Sequence, residues 1–562
     1  MIFIAELLFI SCTNISISKE QSQNFKITSP QENWIFYTDV PISFSTNIKD
    51  SEISWYSSLD GFLGKGNAFS FILSEGNHVV SAKSLDKKVS VEISVLSNKL
   101  RNESVLTYRI NKLKQDLYVQ KGNYKSLIYS FAGSAKKFRF SNTERKSSNY
   151  NQKTLQSNFI QKDFSIKQSV PPSKLKICEK INKNRSVVAE LQTSKNFYII
   201  NTKNQLEKPH VVKAEIFASG NSYTIWKPVD IKLNEELINQ LRTNFENIIF
   251  PRTQKIFGKW ADIDGDGKIA ILLCPSINQE KVAIGYFNPV DLFTKNEDSK
   301  SELYNPYSNE MDIVYLAVPE ASDSGSYGIN SISATLAHEF THAISFNQKT
   351  FRYLLKGNKN RGQEELFLDE GLSHLSENLC GFSVSGGNIA FLSQFFNDTS
   401  SISFCKENIY GQDDSVGKRG AMVLFLSWLY RNSPNGNEFL QKILSSENFG
   451  WDCIGEAYGI PSDSLFKIFI EDIVFAYQNN LSFIPEIDSV TGEPIHFFCN
   501  MGEYNFGDNA YSIKFPKLYN ATEKIDVLPY SFRLLNQFDF ENTFPLETEC
   551  TSINDSVFIG LF

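Results

Sequence analysis

Apolar and polar positions change rhythm along the chain. Between residues 24 and 98, short apolar runs at 42–45, 53–55, 68–73 and 79–82 are separated by the turn formers Asp60-Gly61 and Glu75-Gly76. Runs of that length between glycine turns predict a small β-sandwich. From 99 to 210 Lys, Ser, Asn and Gln dominate, and residues 141–173 carry little apolar period around Pro171-Pro172. That stretch reads as a linker or pro-segment-like region. From 211 to 480 the pattern is mixed, with strands expected at 211–218, 223–226, 268–273 and 312–318. Leu237, Leu241, Phe245 and Ile248 recur at helical spacing within 233–257. Further helices are expected over 331–347, about 364–379, about 420–431 and much of 436–476. Residues 481–562 are aromatic and strand-like, a β-rich C-terminal region.

Composition narrows the field. A chain of 562 residues with 41% hydrophobic and 21% charged side chains folds, and is long enough for several domains. A net charge of −7 gives no reason to expect nucleic acid as a partner. The opening MIFIAELLFISC, residues 1–12, resembles the end of a bacterial lipoprotein signal, with Cys12 as the lipidated residue. Export to the cell envelope, anchored through Cys12, or to the exterior is the matching expectation. No other apolar run approaches the ~18 residues of a spanning helix. The remaining cysteines are scattered without paired metal-type spacing, so they predict no cysteine-based zinc cluster. Nothing in the sequence fixes the oligomeric state.

The most specific pattern is SISATLAHEFTHAISFN, residues 331–347. Residues four apart share a helix face, so His338 and His342 can aim imidazole nitrogens at one point. Zinc accepts such nitrogens and in catalytic sites keeps a position open for water. Glu339, beside the first ligand, can reach that water as a general base. With only 6 His in the chain, a chance HExxH should occur on the order of a few times per thousand such chains. A third ligand is needed, and FLDEGLSHLSENLCG, residues 367–381, offers Asp369, Glu370, His374 and Glu377. Asp369 and Glu377 suit the alternative task of accepting the free N–H of a ligating His. His374 is either the main rival as third ligand or a neighbour facing substrate. Separately, Asp262, Asp264 and Asp266 followed by Gly267 match the start of a calcium loop. Its twelfth position is Leu273, so a calcium ion would borrow an acid from Asp291, Glu310 or Asp312.

Several stations occur in order: FGKWADIDGDGKIAILLCP, IGYFNPVDLF, SNEMDIVYLAVPE, HEFTHAISFNQK, FLDEGLSHLSENLCG and GAMVLFLSWLYRN. Together, over roughly residues 195–480, they resemble the hyicolysin-type bacterial neutral zinc metallopeptidases of the gluzincin clan. WYSSLDGFLGKG and LSEGNHVV resemble bacterial immunoglobulin-like modules, with His78 in a turn. The fold so implied is multidomain. An N-terminal immunoglobulin-like β-sandwich precedes an α+β zincin-like domain with a mainly helical second half and a β-rich tail. The resemblance implies Glu370 as third ligand, a peptide or protein substrate, and hydrolysis by a metalloendopeptidase. Gluzincins often place a Tyr or His ahead of a Gly-Ala helix to stabilise the oxyanion. Here that stretch is SVGKRGAM, leaving Tyr410 and Arg419 as candidates. This departure frames the alternative expectation, an envelope-anchored adhesin whose peptidase domain binds zinc without turnover.

Overall fold

The computed structural model describes residues 25–96 with short interruptions, strands between 106 and 141, residues 172–178, and segments between 486 and 561. Between these it describes 194–478, apart from 322–325, 359, 400–415 and 434. The chain divides into two compact units, Met1–Asn98 and Lys99–Phe562.

Among its described residues the first unit has eight strands: β1 (Ile27–Ser29), β2 (Trp34–Tyr37), β3 (Ile42–Thr46), β4 (Ser54–Ser57), β5 (Gly61–Lys65), β6 (Ala68–Phe71), β7 (Gly76–Ser84) and β8 (Lys87–Leu96). They form two sheets, β1-β3-β6 and β2-β8-β7-β4-β5. Alternation decides the inward face, since Val80 and Ala82 are fully buried while Val79 is 40% exposed. Phe44, Trp55, Val80 and Val95 belong to one apolar core, and the Trp55 indole donates to the Gly66 carbonyl at 2.9 Å. His78 lies in β7 rather than in a turn. It is buried, with Nδ1 2.6 Å from Ser57 Oγ and Nε2 2.8 Å from the Ser74 carbonyl, a satisfied core histidine.

In the second unit the region expected as a linker carries strands. These are β9 (Leu106–Ile110), β10 (Lys114–Val119), β11 (Gly122–Ser130) and β12 (Ala135–Ser141). They pair with strands from the far end of the chain: β10 with Phe544–Glu549, β11 with Ser531–Phe540 and Val557–Leu561, and β9 also with Val557–Leu561. The expected division at 99–210 and 481–562 therefore cuts through shared sheets. Local composition could not show this, because the partners are remote in sequence.

A six-stranded sheet supports the site. Its strands are β13 (Ser194–Ile199), β14 (His210–Ser219), β15 (Tyr223–Pro228), β16 (Ile269–Leu273), β17 (Gly285–Phe287) and β18 (Ile313–Leu316). The order is β13-β14-β15-β16-β18-β17, so the sheet begins ahead of the expected boundary at 211 and β17 is an edge. β15, β16 and β18 run parallel, and β17 returns antiparallel on β18. Strands β16 and β18 are buried at every position, as expected for parallel strands covered on both faces.

The helix expected over 233–257 starts at α1 (Glu235–Asn244), capped by the Asn234 side chain, and passes through a π turn at Phe245–Ile249. Pro251, at the start of the following helical turn, lacks the N–H that regular α-helical bonding needs there. The principal helices that follow are α2 (Ile329–Phe346), α3 (Leu366–Cys380), α4 (Asn388–Asn397) and α5 (Val416–Asn432). Three more, Gly436–Ser445, Gly450–Tyr458 and Ser462–Gln478, complete the helical half. Leu336, Ala337, Phe340 and Ile344 are all fully buried, so α2 is an interior helix. The Phe340 ring lies against Phe245, Phe250 and Trp260.

Candidate metal site

The apolar shell of α2 leaves a polar exception. His338 and Glu339 are 4% and 8% exposed, although buried ionisable groups are expensive without partners. The partners come from α3, which packs alongside and is tied to α2 by Ser376 Oγ donating to the Ala337 carbonyl at 3.2 Å. Gly371 in α3 lets α5 approach, since a Cβ there would stand 2.7 Å from Leu426 Cδ1. The small residue next to Glu370 is thus a packing requirement.

Three donor atoms converge. His338 Nε2 and His342 Nε2 are 3.1 Å apart, and Glu370 Oε2 lies 3.3 Å from the first and 3.7 Å from the second. Each imidazole is held from behind. His338 Nδ1 stands 2.8 Å from Glu377 Oε1, and His342 Nδ1 stands 2.9 Å from Asp369 Oδ2. Ser345 Oγ donates to the other Asp369 oxygen at 2.6 Å. A carboxylate only accepts, so both Nδ1 atoms carry hydrogens, and in the neutral, metal-binding form of the imidazoles both Nε2 atoms turn lone pairs inward. Two lone pairs 3.1 Å apart repel, and Glu370 Oε2 is buried without a hydrogen-bond donor. A cation between them resolves both problems. Ligands of a tetrahedral zinc at about 2.0–2.1 Å are about 3.3 Å from one another, close to the spacings present. The donor set therefore fits the metal.

The electrostatics agree. Burial opposes charge on His342, but Asp369 and Glu370 outweigh it and raise its pKa to about 10. His338 is likewise raised, as Glu370 and Glu377 overcome desolvation. Burial would raise Glu370, but His342 and His338 hold it well below its ordinary value. The protein groups alone thus draw positive charge to this point, and a bound cation would replace those protons. Glu339 sits beside these ligands with its pKa raised by burial, against the pull of His338, His342 and a backbone N–H of Phe287 in the edge strand β17.

His374 also brings a donor atom within 4.8 Å of donors from His338 and Glu370. Its nitrogens have other neighbours, however. Nδ1 is 3.0 Å from Glu377 Oε1, and Nε2 is 3.4 Å from Arg419 Nη1. The set of His338, His342 and Glu370 has its remaining nitrogens anchored and its donor atoms mutually close, which favours it. Arg419 is buried and directed at His374; Tyr410 and Cys12 lie outside the described residues.

The Asp-rich loop forms a second acidic group. Asp262, Asp264 and Asp312 bring oxygens within 4.8 Å of one another. Of the acids considered to complete the loop, Asp312 is the one in this group, whereas Asp291 accepts from Tyr315 and Asn309, and Glu310 from the Lys295 N–H. Backbone N–H groups of Gly265 and Gly267 already donate to Asp262, and Trp260 donates to Asp312 at 2.8 Å. Burial, with Asp264 and Asp262 nearby, raises the Asp312 pKa to about 8. Asp266 is raised to about 6, chiefly by burial and then by Asp264.

Some contributors carry no sequence signal. Gly386 follows α3, and a Cβ on it would stand 2.0 Å from Glu377 Oε2. Trp260 and Phe287 reach the acids from other elements. Ser345, three residues after His342 on one helix face, was legible from helical spacing. Among the described residues Cys178, Cys274, Cys380 and Cys453 are buried, and no helix is long and apolar enough to cross a membrane.

An interior helix bearing HExxH, faced by a second helix carrying Glu370, is the arrangement expected of the neutral zinc metallopeptidases that the motif series resembles. Comparison with characterised proteins supports that resemblance. The chain is 26% identical over 318 residues to neutral metalloprotease ShpI of Staphylococcus hyicus, a match covering 53% of this chain and 66% of that protein. It thus spans just under two thirds of that relative's length. No known family profile matches the chain.

Proposed function

We propose that this protein is a secreted or cell-envelope zinc metalloendopeptidase. The observation that carries the reading is the convergence of His338 Nε2, His342 Nε2 and Glu370 Oε2 within 3.1–3.7 Å, with Glu339 beside them. The similarity to a neutral metalloprotease supports it; export rests on the family resemblance and on the apolar run ending at Cys12.

His338, His342 and Glu370 would hold the metal. When bound, a zinc there supplies a Lewis acid that polarises the scissile carbonyl and acidifies a water. Glu339 takes the proton of the attacking water as the C–O bond forms, and delivers it to the amine as the C–N bond breaks. Its raised proton affinity suits a group that must both accept and release a proton. Asp369 and Glu377 hold the two imidazoles in the ligating tautomer. The substrate would lie extended along β17, whose Phe287 N–H already reaches Glu339. A calcium ion at Asp262, Asp264 and Asp312 belongs to the same proposal, and a rise in melting temperature on adding calcium tests it.

The decisive experiment compares wild type with Glu339→Gln for bound zinc and casein cleavage. Wild type should bind zinc and cleave. The variant should keep zinc and lose about 10²–10⁴-fold in rate. Zinc binding with no cleavage across varied peptides and pH would favour the adhesin reading, and cleavage that survives the substitution would sink the mechanism.

A further inference from the structure

Behind the site runs a buried line of side chains from three helices. Glu377 Oε1 is 2.8 Å from His338 Nδ1 and 3.0 Å from His374 Nδ1, and His374 Nε2 is 3.4 Å from Arg419 Nη1. Exposure is 2% or less for His374, Glu377 and Arg419. The His374 ring packs in edge-to-face contacts with His338 at 4.6 Å and with Phe391 of α4 at 5.2 Å. Arg419 is placed by the close seating of α5 on α4. A Cβ on the adjacent Gly420 would stand 1.9 Å from the Phe391 carbonyl oxygen, so only glycine allows that approach.

The polarity of this line is set from its far end. A guanidinium has donors only and keeps its protons in proteins. His374 Nε2 facing it must therefore accept, which leaves the hydrogen on Nδ1, whose near neighbour is Glu377 Oε1 at 3.0 Å. Glu377, accepting only, takes the hydrogen of His338 Nδ1 as well. His338 then presents its lone pair at Nε2, toward Glu370 and His342. Reversal anywhere along the line would set two donors or two acceptors against each other in a buried space.

We propose that Arg419 and His374 are positioning residues. Acting through Glu377, they fix the tautomer and orientation of His338 and so the affinity of the site for its metal. The proposal rests on His338, His342 and Glu370 holding zinc. It gives Arg419 a task other than oxyanion stabilisation, and it gives the Gly-Ala start of α5 a reason: delivering a cation behind the ligand.

The test measures zinc affinity of the full chain by chelator competition, and the visible spectrum of the cobalt-substituted protein. Arg419→Met should weaken zinc binding by about 3–10-fold, less than the 10–100-fold typical for direct partners of a ligand, and should shift the cobalt bands. His374→Asn, whose amide can still donate to Glu377, should stay closer to wild type than His374→Ala does. Far-ultraviolet circular dichroism checks that each variant folds; if Arg419→Met does not, the two His374 variants decide. Unchanged zinc affinity and cobalt spectrum in folded Arg419→Met would overturn the proposal. Equal losses in His374→Asn and His374→Ala would also overturn it, as the mark of packing alone. A wild type that binds no zinc would instead overturn the function proposed above.

Discussion

Gly386→Ala tests the architecture behind the ligands without replacing any ionisable group. The added Cβ would stand 2.0 Å from Glu377 Oε2, 2.8 Å from its Cδ and 3.0 Å from the Phe382 carbonyl oxygen, where ordinary contact is 3.4–4 Å. The backbone oxygen blocks retreat on one side, so the carboxylate must move by about 1 Å or more. Such a move disturbs the 2.8 Å contact between Glu377 and His338, since hydrogen bonds weaken outside a narrow range of distance and angle. Overpacking of this kind costs about 1–3 kcal/mol of stability. Loss of the anchor behind His338 costs about 10–100-fold in metal affinity, or about 1.4–2.7 kcal/mol. Chelator competition should show that loss, and urea unfolding of the metal-free protein should show the stability cost. Gly362→Ala, whose Cβ would meet only Phe449 atoms at 3.5 Å and beyond, is the control and should leave both unchanged. A Gly386→Ala protein with wild-type zinc affinity would refute the placement of Glu377 behind His338.

Other expectations follow from the same geometry. Asp369→Asn should weaken zinc by about 10–100-fold, while Ser345→Ala, which removes only a hydrogen bond to Asp369, should do less in the same titration. Asp312 has a folded pKa raised to about 8. Its contribution to stability is full below the unfolded carboxylate value and is lost as pH rises through about 8. Unfolding midpoints without divalent cations should therefore fall between pH 5 and 9, and Asp312→Asn should flatten that slope; an unchanged slope would remove Asp312 as its cause. Asp488 behaves oppositely. Burial would raise it, but Arg252 at 2.6 Å and the Thr491 and Val490 N–H groups hold it below its ordinary value. Its contribution, present above the unfolded value, is lost as pH falls, so Asp488→Asn should be less sensitive to acid than wild type in unfolding midpoints at pH 3 and 7.

Much of the site was legible because it is local. His338, Glu339 and His342 lie within one helical turn, and helix geometry alone puts the two imidazoles on one face. On the next helix the same spacing joins Glu370 and His374, and Asp369 and Glu377 lie in the same short run, so these candidates could be named from sequence. Strands β14, β15, β16 and β18 and the interior character of α2 follow from apolar runs, since burial selects those residues directly. The sequence left the division of labour on α3 open. Asp369, Glu370, His374 and Glu377 are all chemically able to ligate, and the choice depends on the angle at which α3 meets α2.

That angle belongs to tertiary packing. It places Glu370 Oε2 toward the two Nε2 atoms while Asp369 and Glu377 sit behind the rings. Packing also turned Arg419, in sequence a candidate for the oxyanion, toward His374. It drew β9–β12 out of an apparent linker into sheets with the C-terminal strands, and it brought Asp312, rather than Asp291 or Glu310, to the Asp-rich loop. Periodicity of side chains along one element is written in the sequence, because each residue's burial selects its own type. Which elements meet, and through which atoms, is decided by many weak contacts between distant residues, and only the folded chain records that choice.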